Sequence, residues 1–166
     1  SIYSNLIYAR ATEGVNMGEH LSIDQYLQDL ALEQGKDVVA LETVDDQVYA
    51  LFYSETPEDQ AQALVAMARN PDFYETSARE LNQYYLERDL DKLYDLSFNN
   101  PDDPDPISEE MAYALNKERN DKWMERIPGM MAERPIFIAV GALHLAGEEG
   151  IVNQLREKGY NVDPQK

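Results

Sequence analysis

"PIFIAVGALHLAGEEGIVNQLREKGYNV", residues 135–162, decides how this chain reads. It opens on a continuous apolar, β-branched run at 135–140 and turns through Gly141 to His144. Helical spacing follows over 148–158, Gly159 stops it, and a short strand is expected at 160–163. A short run that is apolar at every position is the pattern of a strand covered on both faces. "DVVALE" at 37–42 is a second such run, and helical spacing follows it as well. Strand then helix, twice over, predicts a helix-rich α/β fold in which both strands lie parallel in one small, mainly parallel sheet with helices packed over it. In such sheets ligands bind outside the carboxyl ends of the strands. Glu42 terminates the first strand and the Gly141–His144 turn follows the second, so both residues are expected on one edge.

Elsewhere the signals are helical. Ser1 to Ala11 carries apolar residues at roughly helical spacing, with enough β-branched and Tyr content to leave a strand open. Ser22, with Gln25 three residues on, reads as a capping box, and Gly35 lies where a helix stop belongs, which predicts a helix over 23–34. The stretch 44–53 reads as helix. Thr56-Pro57 opens another helix that ends near Asn70-Pro71, with Thr as N-cap and Pro in the first helical position. A long helical stretch runs from Asp72 to about Leu96, with Asp89 as its candidate break. Ser108 starts a helix that reaches about Ile127, where Pro128-Gly129 is expected to end it. Between these lies "FNNPDDPDP" at 98–106, which lacks the glycine and terminal glutamate of a calcium-binding EF-hand and reads as a solvated linker.

The chain has 166 residues, enough for one domain with a real core, and 43% of them are apolar. Thirty-two acidic residues against 14 basic ones give a formal net charge of −18. That field repels nucleic acid and anionic membranes while attracting cations and basic peptides. There is no Cys, hence no disulfide, no thiolate metal site and no Cys nucleophile. No apolar run is long enough to span a bilayer, and the chain does not open on a basic-then-apolar leader, so an exported form would have lost its signal already.

His144 and Glu42 each have an ordinary reading beside the functional one. A histidine in a turn commonly hydrogen-bonds the backbone, and a glutamate at a strand end commonly forms a salt bridge. Gly141 can serve a turn that needs positive φ, and Gly147 can admit the next helix.

Three segments in series carry a resemblance: "ALETVDDQ" at 40–47, "ERNDKWMERI" at 118–127 and "FIAVGALHLAGEEGIVNQLREKGYNV" at 137–162. Together they resemble the bacterial TraB/GumN family, related to the Tiki proteases. Its pattern is a Leu-Glu-Thr-x-x-x-Gln segment, an Arg-Asn pair on a late helix, and a closing Gly-x-x-His-Leu-x-Gly-x-x-Gly stretch. "SIDQYLQDLALEQGKDVVALET" at 22–43 is also similar to a helix and Gly-Lys turn of that family. The resemblance implies a divalent-metal-dependent hydrolase that acts on a peptide or protein substrate. Position by position, it carries catalytic roles to Glu42, Arg119 and His144, and metal ligation by manganese, cobalt or zinc to Glu42 and His144. A carboxylate and a neutral imidazole suit such an ion, while an arginine suits a substrate carboxylate or a developing oxyanion.

One departure bears on activity. The family's earlier Gly-x-x-His motif is missing, and the other histidine, His20 in "NMGEHLS", does not match it. His20 therefore reads as a surface residue, and the chain reads as the C-terminal part of such a domain, without its first strand. Two ligands fall short of the roughly three that a catalytic metal site uses. The expectation is that this chain alone is inactive and holds metal weakly or not at all, the activity belonging to a complete parent. The alternative is a non-catalytic peptide-binding or regulatory module using the acidic, Tyr-rich helical surface. An exposed sheet edge would also be compatible with a homodimer.

Overall fold

The computed structural model describes Ala11 and residues 22–165. The expected element over residues 1–11 and His20 lie outside the described residues, apart from Ala11 itself. Helix α1 spans Ile23–Glu33 and α2 spans Val44–Val48, continuing as a wider π-turn over Tyr49–Tyr53. Then come α3 (Pro57–Arg69), α4 (Pro71–Glu87) and α5 (Leu90–Phe98). Helix α6 (Glu109–Ala112) runs through a second π-turn, Tyr113–Lys117, into α7 (Glu118–Met124), followed by α8 (Ile127–Glu133). A single 3-10 turn, Ala142–His144, and α9 (Ile151–Glu157) complete the described elements.

Local chemistry sets these boundaries. Ser22 Oγ accepts the Gln25 N–H at 3.2 Å, but the Gln25 side chain turns to Asp29, so only half of the expected box forms. The complete capping box belongs to α2: the Asp46 N–H donates to Thr43 Oγ1, and the Thr43 N–H donates back to the Asp46 carboxylate. The long helical stretch does break where Asp89 stands. Arg88 takes a left-handed conformation at φ 60°, and Asp89 caps α5 by accepting the Lys92 N–H. Pro128-Gly129 ends nothing; the two residues occupy the first turn of α8, where a proline lacks no bond the helix would have used. In the 99–106 loop, Asp102 N–H donates to Asn100 Oδ1 and Asp105 N–H to Asp103 Oδ1, so the turns are held by their own side chains.

The parallel sheet expected from 37–42, 135–140 and 160–163 is not there. Among the described residues there is no strand, and no backbone ladder joins these segments. Residues 37–40 and 135–140, in the two segments that the sequence marks as extended, carry no regular secondary structure, and burial alternates along the second: Ile136, Ile138 and Val140 are half-buried, whereas Phe137 is 80% exposed. An unbroken apolar run encodes two covered faces. Here only one face of 135–140 finds partial cover, and every residue of 37–40 is exposed. Both segments do run in the same direction. Asp37 meets Arg134 at their starts, and Glu42 and His144 share Arg119 at their ends. Arginine side chains supply the links that a ladder would have made, including two bonds from Arg126 Nη1 to the carbonyls of Ala40 and Leu41.

The core that orients these segments is small. Trp123, Met124, Ile127, Ile151 and Leu155 form it, with Leu41, Ile138, Val140, Leu145, Tyr160 and Val162 packed against it. Away from this core, α1, α3 and α4 contain no fully buried residue, and Ile23, Leu32, Phe52 and Leu86 are all exposed. No helix among the described residues is long and apolar enough to cross a membrane.

Candidate functional site

Glu42 is delivered by the end of the first extended segment, immediately before the α2 capping box. Hydrogen bonds from the Thr43 side chain and then its backbone hold Asp46 below the ordinary carboxylate range, which fixes the turn that follows Glu42. Arg119 comes from the first turn of α7. The two meet as a bidentate pair: Arg119 Nε donates to Glu42 Oε2 at 2.9 Å and Nη2 to Oε1 at 2.8 Å. Their side chains are only 14% and 15% exposed. A planar guanidinium fork on a carboxylate in such a setting fixes direction as well as charge.

The other side of the same guanidinium faces His144. Arg119 Nη1 lies 3.1 Å from His144 Nε2 and donates to the Leu115 carbonyl at 3.0 Å. His144 closes the 3-10 turn after the second extended segment, and its Nδ1 lies 2.8 Å from Asn120 Oδ1. An arginine N–H can only donate, so Nε2 accepts and the proton sits on Nδ1. Burial pushes the imidazole down to about 4; the Arg119 charge pushes the same way, and Glu42 opposes both. The ring is therefore neutral at pH 7. Trp123 forms the floor, with its ring 4.6 Å from that of His144 and 5.0 Å from the Arg119 guanidinium carbon. Its indole Nε1–H is buried and has no hydrogen-bond partner among the described residues.

The turn glycines divide differently from expectation. Gly141 has φ −59°, and a Cβ there would meet only His144 Cδ2 at 3.7 Å, so no positive φ is required of it. Gly147 is the left-handed one at φ +75°, where a Cβ would also strike the Tyr94 ring at 2.6 Å. Gly150, not singled out in the sequence, starts α9; a Cβ there would run into the carbonyl oxygens of Leu145 and Ala146.

Glu42, Arg119 and His144 thus stand in one line, with the arginine between the other two. Asn120 and Asn116 belong to the same network; Asn120 is the second residue of the Arg-Asn pair but was given no role, and sequence reasoning passed over Asn116. Their signal was legible on the helix expected from Ser108 to about Ile127: positions 116, 120, 123, 124 and 127 share one face of it, so two amides sit in a stripe otherwise made of Trp123, Met124 and Ile127. Buried amides on an apolar face need partners. As arranged, these residues do not fit a divalent ion. Both carboxylate oxygens of Glu42 and the Nε2 of His144 are occupied by Arg119, whose cation stands between them. Among the described residues no three His, Cys, Asp or Glu side chains gather as a ligand set.

No curated protein and no solved structure matches this chain. The family model described as the TraB/PrgY/gumN family matches residues 2–164, which takes in every residue of the cluster. On that match, extending over nearly the whole sequence, the chain belongs to the TraB/PrgY/gumN family.

Proposed function

We propose that the protein is a hydrolase of the peptidase-like kind and that Glu42, Arg119 and His144 are its reaction-facing residues. The observation that supports this is the convergence of three motif residues, from positions 42, 119 and 144, on one half-buried chain of charge-assisted hydrogen bonds. Glu42 holds the guanidinium rigid. Of the five N–H groups of Arg119, four are engaged by Glu42, Leu115 and His144, and one Nη2–H has no acceptor among the described residues. That donor is suited to a carbonyl oxygen that gains negative charge on attack, and an oriented donor of this type contributes about 3 to 4 kcal/mol to transition-state stabilisation. His144 offers a neutral acceptor at Nε2, which can take a proton from water only when the 3.1 Å Arg119 contact opens.

The resemblance to metal-dependent proteases assigns Glu42 and His144 to a divalent ion. With Arg119 in place the cluster cannot hold one, so the roles above are those the chain's own side chains support. Hydrolysis of unstructured fluorogenic peptides by the protein in its complete natural form, with added manganese, cobalt or zinc and with chelator, tests the proposal. Turnover that falls at least about 100-fold in both Arg119→Gln and His144→Ala is expected, on the scale of losing one oxyanion donor. No turnover under any of these conditions, or turnover untouched by both substitutions, would overturn it.

A further inference from the structure

The two asparagines behind His144 have determined orientations, and backbone carbonyls determine them. A carbonyl oxygen only accepts, so the amide group facing it must be the NH2. Asn116 Nδ2 donates to the Leu143 carbonyl at 2.9 Å, which turns Asn116 Oδ1 toward Asn120. Asn120 Nδ2 then donates to Asn116 Oδ1 at 2.7 Å and to the Glu149 carbonyl at 2.8 Å, with a longer contact of 3.3 Å to the His144 carbonyl. Flipping Asn120 would set its oxygen against three acceptors. Its Oδ1 is consequently left facing His144 Nδ1 at 2.8 Å, and Nδ1 must carry the hydrogen. Arg119 requires the same tautomer independently from the far side of the ring.

We infer that Asn120, backed by Asn116, is a positioning residue that locks His144 in the Nδ1–H tautomer and so keeps the Nε2 lone pair aimed at Arg119. The role rests on the reading of His144 as a reaction-facing residue, and it goes beyond simple packing. Asn120 is 0% exposed and Asn116 is 7% exposed, yet neither contributes apolar contact that Leu would not supply better. Their bonds instead go to the backbone of the turn that carries the histidine, at Leu143, His144 and Glu149, and to the ring itself. One pair of amides fixes both where the imidazole stands and which nitrogen bears its proton, and which nitrogen is protonated decides what the ring can accept.

Long-range proton–nitrogen correlation spectra of the 15N-labelled chain at neutral pH read the tautomer directly, with His144→Gln assigning its signals apart from those of His20. A pure Nδ1–H pattern is expected for the native chain. Arg119→Gln, which leaves Asn120 as the partner of the ring, should retain it, whereas Asn120→Ala in that same Arg119→Gln chain should admit the Nε2–H form. In the complete protein, peptide turnover should fall about 10- to 100-fold in Asn120→Ala through kcat, the usual effect of losing a histidine's orienting partner. A native Nε2–H tautomer, loss of the Nδ1–H pattern in Arg119→Gln alone, or an unchanged tautomer in the folded double variant would overturn the inference. Should the double variant not fold, the native and Arg119→Gln spectra decide. A native Nδ1–H spectrum without any hydrolysis would sink the proposed activity and leave the positioning role standing.

Discussion

Arg119 and Glu42, 77 residues apart in the chain, form the pair that joins the late helical part of the molecule to the end of the first extended segment, at 2.8 and 2.9 Å. A half-buried carboxylate and guanidinium in fork geometry lose more when one partner is removed than the pair contributes as a whole, because the survivor keeps its desolvation cost. Glu42→Ala should therefore destabilise the chain by about 2 to 4 kcal/mol, somewhat below the range for a fully buried pair. Urea unfolding measures it, and a midpoint shift corresponding to less than about 0.5 kcal/mol would assign the pair to the weak class of surface salt bridges.

The glycines around His144 give a stability series with a sign that differs from position to position. Gly141→Ala should be tolerated, with a change within about 1 kcal/mol, because its backbone is extended and a Cβ there finds ordinary contact. Gly147→Ala combines left-handed backbone with a clash against Tyr94, and Gly150→Ala drives a methyl into two carbonyl oxygens. Each of these two should cost at least about 1 to 3 kcal/mol. Thermal melting of the three variants checks the order, and Gly141→Ala melting lowest would contradict the described turn.

Stability should depend on the protonation of His144. Its folded value is about 4 against an ordinary 6.5, so the unfolded chain binds the proton more readily. Stability from this group is complete above about 6.5 and is lost as the pH falls toward 4, since the unfolded state then holds more protons than the native one. Comparing unfolding midpoints at pH 7 and pH 4.5 for the native chain and His144→Gln isolates the effect from that of the many carboxylates. The native chain should lose more stability on acidification than the variant. An equal loss in both would mean that His144 titrates alike in the folded and unfolded states.

Much of the fold's punctuation was legible in the sequence, because it is written in local chemistry. Thr56-Pro57, Ser108, the break at Asp89 and the stop at Gly159 act through neighbours within four residues. The candidate site was legible for a different reason: the motifs around Glu42, Arg119 and His144 keep order and spacing, so a resemblance could pick out residues that only the tertiary structure brings together. The sheet was misread because apolar continuity at 37–42 and 135–140 states how many faces want cover and says nothing of whether cover is present. Phe137, Val38 and Val39 remain exposed for that reason. Gly141 was misread since a glycine's identity does not distinguish positive φ from close approach. Asn120, although it stands in the Arg-Asn pair, drew no role and Asn116 escaped notice, because an amide carries no charge; their place on the helical face of Trp123 marks both as buried.

The most direct test of the central claim, that Glu42, Arg119 and His144 act as one connected unit, is an NMR titration of the His144 ring in the native chain and in Arg119→Gln. The account predicts a native value depressed to about 4. Removing Arg119 takes away a neighbouring positive charge while leaving Glu42, so the value should rise in the variant. A native ring titrating near 6.5, or one indifferent to Arg119→Gln, would show that the three residues are neighbours in sequence motif only and would contradict the site.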